Sequence, residues 1–251
     1  MNSIKRICKR LALSRWDNPP RLLIDQFVNR IAQQIGVGAW ILDAGAGECV
    51  YAPAFAQCHY ISCDRAIGDV SWDYSRLSVI GDIGALPFRQ ASFDVVLCTQ
   101  TLEHVTDPHV VLREMAALLK PGGKLYLTVP FLGDPLHQEP YDFYRYTKYS
   151  LSHLLDKAGL SPVSISPIGG IWFLFCCYFW FFVVYEVSSE FAGKRGTFLP
   201  RVTRLVFRTT LLLFARLCTM LVIVFRGIDV GSDKFTYGYT VMAQKPIHDS
   251  T

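Results

Sequence analysis

Residues 39–47 read Ala-Trp-Ile-Leu-Asp-Ala-Gly-Ala-Gly. This apolar run is too short for a helix, ends on an acid, and breaks into a turn with two glycines. Such a run reads as a buried strand, and the glycines let backbone amides approach a ligand at its carboxyl end. Further strand-like runs follow at 59–64 (HYISCD), 76–82 (RLSVIGD), 92–98 (SFDVVLC), 124–130 (KLYLTVP) and 161–168 (SPVSISPI). Apolar spacing predicts helices over 21–35, 48–57, 107–119 and 147–158. Pro121-Gly122-Gly123 stops the third of these and Gly159 the fourth. FTYGYTVMAQKP (235–246) alternates like a last strand. Strands that alternate with helices require crossover connections, hence a parallel sheet. The expected class is α/β: a Rossmann-like, seven-stranded, mostly parallel sheet with helices on both faces.

Residues 169–233 interrupt this pattern between the sixth and seventh strands, as an apolar helical insert. Residues 171–185 are fifteen apolar residues in a row, nine of them aromatic. That is shorter than the ~20 residues a spanning helix needs. On a helical wheel Arg201, Arg204, Arg208, Arg216 and Arg226 share one stripe of an otherwise apolar segment. This is the pattern of a helix lying in a membrane interface. Packing on the domain with a solvated arginine face, or pairing of two subunits, stays open as an alternative. The expected organisation is a basic arm and leading helix at 1–38, a core domain at 39–168 and 234–246, and the insert at 169–233.

Hydrophobic residues make up 51% of the 251 residues, and mean hydropathy is +0.26. A disordered chain is excluded. The net charge of +4 is concentrated at residues 1–21 and 191–226, which leaves the rest net acidic. Two basic appendages on an acidic body do not make a nucleic-acid face; they suit an anionic membrane surface. No apolar stretch of adequate length follows the basic start, so a non-cleaved, cytoplasmic chain peripheral to the inner membrane face is expected. The eight cysteines form no C-x-x-C pair. Cys58, His59 and Cys63 straddle a predicted strand without a fourth ligand, so reduced thiols and no metal site are expected.

Alone, the glycine turn is equally compatible with a dinucleotide. Three further features narrow it. Asp64 ends the second strand, where a carboxylate meets ribose hydroxyls. Asp82 ends the third, within GDIGALPF. FDVVLC leads into TQTLEHV, then a helix and KPGGKLYLTVP. Together these motifs resemble the class I S-adenosylmethionine-dependent methyltransferases of the small-molecule type, over residues 39–168 and 235–245.

The resemblance implies a cofactor site of Asp43, Ala44, Gly45 and Gly47 around the methionine and ribose. Asp64 would meet the ribose diol, and Asp82 with the Ile83 amide would meet the adenine. Cys98, Thr99 and Gln100 would line the methyl-donor pocket, with Glu103 and His104 as wall residues. Two departures stand out. Cys49 occupies the place of a usual third glycine, and residues 65–76 are too short and broken for the usual helix, so Trp72 or Tyr74 could stack near the adenine instead.

The loop at 130–147 (PFLGDPLHQEPYDFYRYT) is rich in polar aromatics, and a similar H-x-x-P-x-D-F-Y-R-Y string marks a bacterial subgroup of such enzymes. His137 is the candidate base, since imidazole titrates near neutrality, with Asp142 beside it. Tyr141, Tyr144 and Arg145 are candidates for the acceptor. The expected partner is a small molecule, lipid-like or lipid-linked if residues 169–226 dock on a membrane beside the acceptor loop. The rival readings are an NAD(P)-dependent oxidoreductase and a non-catalytic membrane module that kept the fold.

Overall fold

The computed structural model describes residues 19–69, 71–182, 210–211, 213–214, 217–218, 221 and 233–247. The basic arm at 1–18 and the arginine stripe of the insert lie outside them. The described residues divide into two compact units. One takes those within Gln26–Phe131, Leu136–Pro167 and Gly238–Thr251; the other those within Met1–Asp25, Leu132–Pro135 and Ile168–Tyr237.

The first unit holds a seven-stranded sheet. Its strands are β1 (Trp40–Ala44), β2 (His59–Asp64), β3 (Val79–Ile80), β4 (Phe93–Thr99), β5 (Leu119–Pro130), β6 (Ser161–Ile168) and β7 (Gly238–Gln244). Their order across the sheet is β3-β2-β1-β4-β5-β7-β6. Strands β3 to β5 pair in parallel, while β7 runs antiparallel to β5 from Lys124↔Gln244 to Pro130↔Gly238. The central strands are buried along most of their length: Ile41, Leu42, Val96, Leu97, Leu125 and Leu127 have almost no exposed surface. Their β-branched and leucine side chains pack on both faces, as a covered parallel sheet demands.

Helix α1 (Pro19–Gln34) precedes the sheet, α2 (Pro108–Leu118) joins β4 to β5, and α3 (Lys148–Lys157) precedes β6. Each start is written locally. The Asp107 carboxylate accepts the His109 and Val110 amides ahead of Pro108, and Thr147 forms a reciprocal capping box with Ser150.

Three sequence expectations change. The helix expected over 48–57 is only a single 3-10 turn, Ala52–Phe55. Pro53 supplies no amide there, so a helix running through 48–57 would lose a backbone bond at that position. The third strand shrinks from 76–82 to Val79–Ile80. Strand β5 begins at Leu119 and absorbs Pro121-Gly122-Gly123, because a register shift against β4 between Phe93 and Val95 accommodates them.

In the second unit, the start of the expected insert forms helix α4 (Ile171–Phe181). Phe173, Cys177 and Phe181 are buried, while Trp172, Phe175 and Tyr178 are exposed. Eleven residues at about 1.5 Å each fall well short of a ~30 Å hydrocarbon core. Among the described residues, no helix is long and apolar enough to cross a membrane.

Candidate active site

All the predicted site residues belong to the first unit. Because β2, β1 and β4 are neighbours in parallel register, their carboxyl ends bring Asp64, Asp43 and Thr99 to one edge. The Gly45 and Ala46 amides both donate to the Cys63 carbonyl, at 2.8 and 3.1 Å, which folds the turn across the end of β2. Gly45 has φ +84°, and a Cβ there would stand 2.2 Å from Thr101 Cγ2. Thr101 Oγ1 itself donates to the Gly45 carbonyl at 3.3 Å. Glycine is therefore required at 45 by backbone and by space together.

Asp64 ties the turn to the second strand. Its Oδ2 accepts the Gly47 amide at 2.9 Å and its Oδ1 accepts the Ala66 amide at 2.8 Å. Each carboxylate oxygen keeps a further lone pair, so a ribose diol can still be received. Asp43 is buried and accepts the Tyr60 hydroxyl at 2.5 Å. Burial first, and then this carboxylate, push the Tyr60 hydroxyl far above the usual tyrosine range. Asp82 is exposed, accepts the Gly84 amide at 2.8 Å, and lies 3.9 Å from Arg65; Ile83 beside it is buried.

The Trp72 ring lies over Gly47, 3.4 Å from where a Cβ would stand. The broken 65–76 segment thus delivers an aromatic face to the cradle. Cys49 adopts φ +55°, the left-handed region, which explains the preference for glycine in its place. Cys98 is buried, and burial raises its thiol pKa well beyond the ordinary range. The Gln100 amide donates to the Thr128 carbonyl at 2.8 Å, pinning the end of β4 to β5.

These residues fit S-adenosylmethionine. The turn with glycine at 45 and 47 stands beside the Asp64 carboxylate, and a second exposed acid, Asp82, follows the next strand. Asp43, Ala44, Gly45, Gly47, Asp64, Asp82 and Ile83 would hold it, with Cys98 and Thr99 at the floor.

Two residues past Thr101 a second cluster begins. The Glu103 carbonyl accepts the Phe143 and Tyr144 amides at 2.9 and 3.3 Å, and Tyr146 Oη donates to the Leu102 carbonyl at 2.8 Å. The 130–147 loop is thereby fastened to the segment after β4. Asp142 is gripped by Arg145 through two bonds of 2.6 and 2.9 Å and accepts the His137 amide at 2.9 Å. Burial alone would raise the Asp142 pKa; Arg145 and the His137 amide overcome it and hold the carboxyl at about 2. His137 Nδ1 lies 3.6 Å from the same carboxylate.

The predicted pair of His137 and Asp142 is therefore brought together, and Arg145 is engaged with Asp142. The Tyr144 hydroxyl donates to the Thr106 carbonyl at 3.0 Å, while the Tyr141 side chain is exposed.

His104 Nδ1 lies 2.6 Å from the Tyr141 carbonyl. A carbonyl only accepts, so Nδ1 carries the proton and Nε2 keeps a lone pair in the neutral ring. Burial, ahead of other causes, lowers the His104 pKa and favours that neutral ring. His104 Nε2 is 3.8 Å from Glu103 Oε1, and the His104 and His137 rings meet edge to face at 4.7 Å. Glu103 is fully buried.

Sequence reasoning missed three of these features. The Tyr60–Asp43 bond depends on the pairing of β1 with β2, and the Thr101–Gly45 contact on β1 beside β4. The gathering of Glu103 and His104 with His137 spans more than thirty residues of chain. None leaves a local signal, although the LEH string marks where the last begins.

Residues 42–127 match the family model described as a methyltransferase domain. Ubiquinone biosynthesis O-methyltransferase of Pseudomonas paraeruginosa is 33% identical over 40% of this chain and 49% of its own length. The protein of that name from Xanthomonas campestris pv. campestris is 35% identical over 44% of this chain and 49% of its own. The chain thus spans about half the length of the relatives it matches. A SAM-dependent methyltransferase from Methanosarcina mazei superposes with a TM-score of 0.50 at 15% identity, covering 87% of this chain and 98% of that one. The [4+2]-cyclase SpnF superposes at 0.53 with 18% identity, over 89% and 82%. At these identities the likeness shows the fold alone, a Rossmann-like sheet, and one such fold carries many chemistries.

Proposed function

With a methyltransferase domain at residues 42–127 as the premise, we propose that this chain is an S-adenosylmethionine-dependent O-methyltransferase acting on a small, lipid-like or lipid-linked hydroxyl acceptor. The observation that carries the cofactor half is the Asp64 carboxylate, fixed by the Gly47 and Ala66 amides beside the turn of Gly45 and Gly47, over which the Trp72 ring lies. The acceptor half is supported by the two O-methyltransferase relatives and by the loop fastened over Glu103.

The cofactor, when bound, supplies a methyl group on a positively charged sulfur. The chain must hold the acceptor oxygen in line with that methyl and receive one proton from it. We assign the proton to the His104–His137 pair. Asp142, locked by Arg145, acts as a positioning residue that holds the His137 backbone and ring. Tyr141, exposed at the loop, and Tyr144 form the acceptor wall.

A peripheral membrane location suits an apolar acceptor. The exposed Trp172, Phe175 and Tyr178 follow one face of α4, in a chain whose arginines share a stripe further on. Exposed aromatic rings and a basic, apolar stretch in one sequence favour an anionic bilayer surface.

The test is calorimetry with S-adenosylhomocysteine and, separately, NADH. Binding of the first alone supports the reading, and binding of NADH alone refutes it. Labelled methyl donor with a lipid extract then searches for the acceptor. Sedimentation with anionic vesicles tests the surface: Trp172→Ser with Phe175→Ser should release the protein. Retention unchanged by both substitutions would sink the membrane part.

A further inference from the structure

We infer that residues 71–76 form a clasp over the cofactor, in which Trp72 is a binding residue whose indole covers the ribose beside Asp64. This role of Trp72 rests on the methyltransferase reading. The edge of its ring sits in a slot between two glycines. Cζ3 is 3.4 Å from where a Cβ on Gly47 would stand and 2.8 Å from where one on Gly68 would. Gly47 is the residue whose amide Asp64 Oδ2 accepts, and Asp64 Oδ1 accepts the amide of Ala66, two residues before Gly68. The ring therefore lies against both stretches of backbone that fix the carboxylate proposed to receive the ribose diol.

The clasp is fastened by the residue next to Gly47. Glu48 Oε1 accepts the Asp73 amide at 3.1 Å, and the Glu48 carbonyl accepts a bond from Arg76 Nη2. Within the clasp the Trp72 amide donates to the Asp69 carbonyl at 2.9 Å, and the Trp72 and Tyr74 ring centroids are 6.1 Å apart. Gly68 lies outside the left-handed region, so the glycine there answers a need for space. A Cβ on it would stand 2.6 Å from Tyr74 Oη as well as against Trp72. Two rings are thus seated on one glycine, while the cofactor turn itself, through Glu48, holds the chain that carries them.

An aromatic face suits this place. It stacks on a nucleoside without needing a particular hydrogen-bonding edge, and a ring with two rotatable bonds loses little freedom when fixed. Trp72 is 39% exposed, so its ring keeps surface for a ligand to cover. Asp64 then takes the hydroxyls while the indole shuts water out. Departure of the demethylated product requires the clasp to give way, so the contribution falls mainly on the dissociation rate. Residues 65–76 are too short and broken for the helix usual at this point, and the clasp is what this chain carries in its place.

The experiment uses the full chain with S-adenosylhomocysteine as the probe, by calorimetry for affinity and stopped-flow fluorescence for rates. Trp72→Ala should weaken binding by about 10-fold or more, chiefly through faster dissociation, and Trp72→Phe should recover most of the loss. Gly68→Ala displaces the ends of two side chains and no backbone, so it should also speed dissociation with little change in melting temperature. The fluorescence that Trp72→Phe removes from the parent identifies the Trp72 signal, and its quenching by acrylamide should fall when the ligand binds. A parent chain that binds no S-adenosylhomocysteine strikes the methyltransferase reading and the clasp with it. Parent binding that a folded Trp72→Ala leaves unchanged, or a Trp72 signal quenched equally with and without ligand, overturns the clasp alone.

Discussion

The Gly47 amide donates to Asp64 Oδ2 at 2.9 Å, so the turn after β1 is held by the acid that ends β2. One carboxylate shapes the cradle and, in the proposed function, would also receive the ribose. Replacing it removes a ligand contact and loosens the turn at once. Asp64→Ala should weaken S-adenosylhomocysteine binding by about 2 kcal/mol or more, roughly 30-fold, by calorimetry. Unchanged affinity would refute its assignment.

Gly45 faces Thr101 closely enough that a methyl group has no room. Gly45→Ala should cost about 1–3 kcal/mol in urea unfolding, from the clash and from a left-handed backbone. Thr101→Gly opens the space, so the double variant should lose less than the two single losses added together. Simple additivity would show that backbone strain alone is responsible.

Tyr60 supplies a hydroxyl to the buried Asp43 carboxylate. Removing only that hydroxyl leaves the shape intact but deprives a buried charge of a donor. Tyr60→Phe should destabilise the fold by about 1–3 kcal/mol and lower cofactor affinity. A variant as stable as the parent would mean that Asp43 draws its stabilisation elsewhere.

The buried thiols should be inert. Burial pushes Cys63 up to about 11 and Cys98 higher still, so little thiolate forms near neutrality. Iodoacetamide at about pH 8 should label the partly exposed Cys58 in the native protein. Peptide mapping should find Cys63 and Cys98 modified only after denaturation.

Asp94 predicts acid behaviour. Burial works to raise its pKa, but Lys120 Nζ at 2.8 Å and the Trp40 amide at 2.8 Å outweigh it, and the net shift is downward. A carboxyl lowered by folding adds stability above its unfolded value, near pH 4, and loses it as pH falls through the folded value. The pair is over a third exposed, so its contribution is on the order of 1 kcal/mol at most. Asp94→Asn should flatten the acid limb of a melting-temperature profile below about pH 4 and change little at neutrality.

Where local pattern and tertiary demand agreed, the sequence was readable. HYISCD and SPVSISPI have the same limits in the sheet as in the reading, and Asp107-Pro108 and Thr147 start their helices where capping chemistry places them. The segment at 48–57 misled, because its apolar spacing satisfied a helix in whose middle Pro53 has no amide to donate. Leu119 misled for the opposite reason: pairing with Phe93 across the sheet drew it from the end of the helix into β5.

The sequence by itself determined the alternation that makes a parallel sheet, the glycine turn at residues 45–47, and the acids at the ends of successive strands. These are short-range properties: apolar period, backbone freedom, and chain reversal by proline and glycine. Only the tertiary structure decided what those residues touch. It placed Tyr60 on Asp43, Thr101 against Gly45, Trp72 over Gly47, and His137 against His104 and Asp142. Each contact joins residues far apart in the chain through strand order and loop closure. Those are set by the packing of the whole sheet, so no window of sequence contains them.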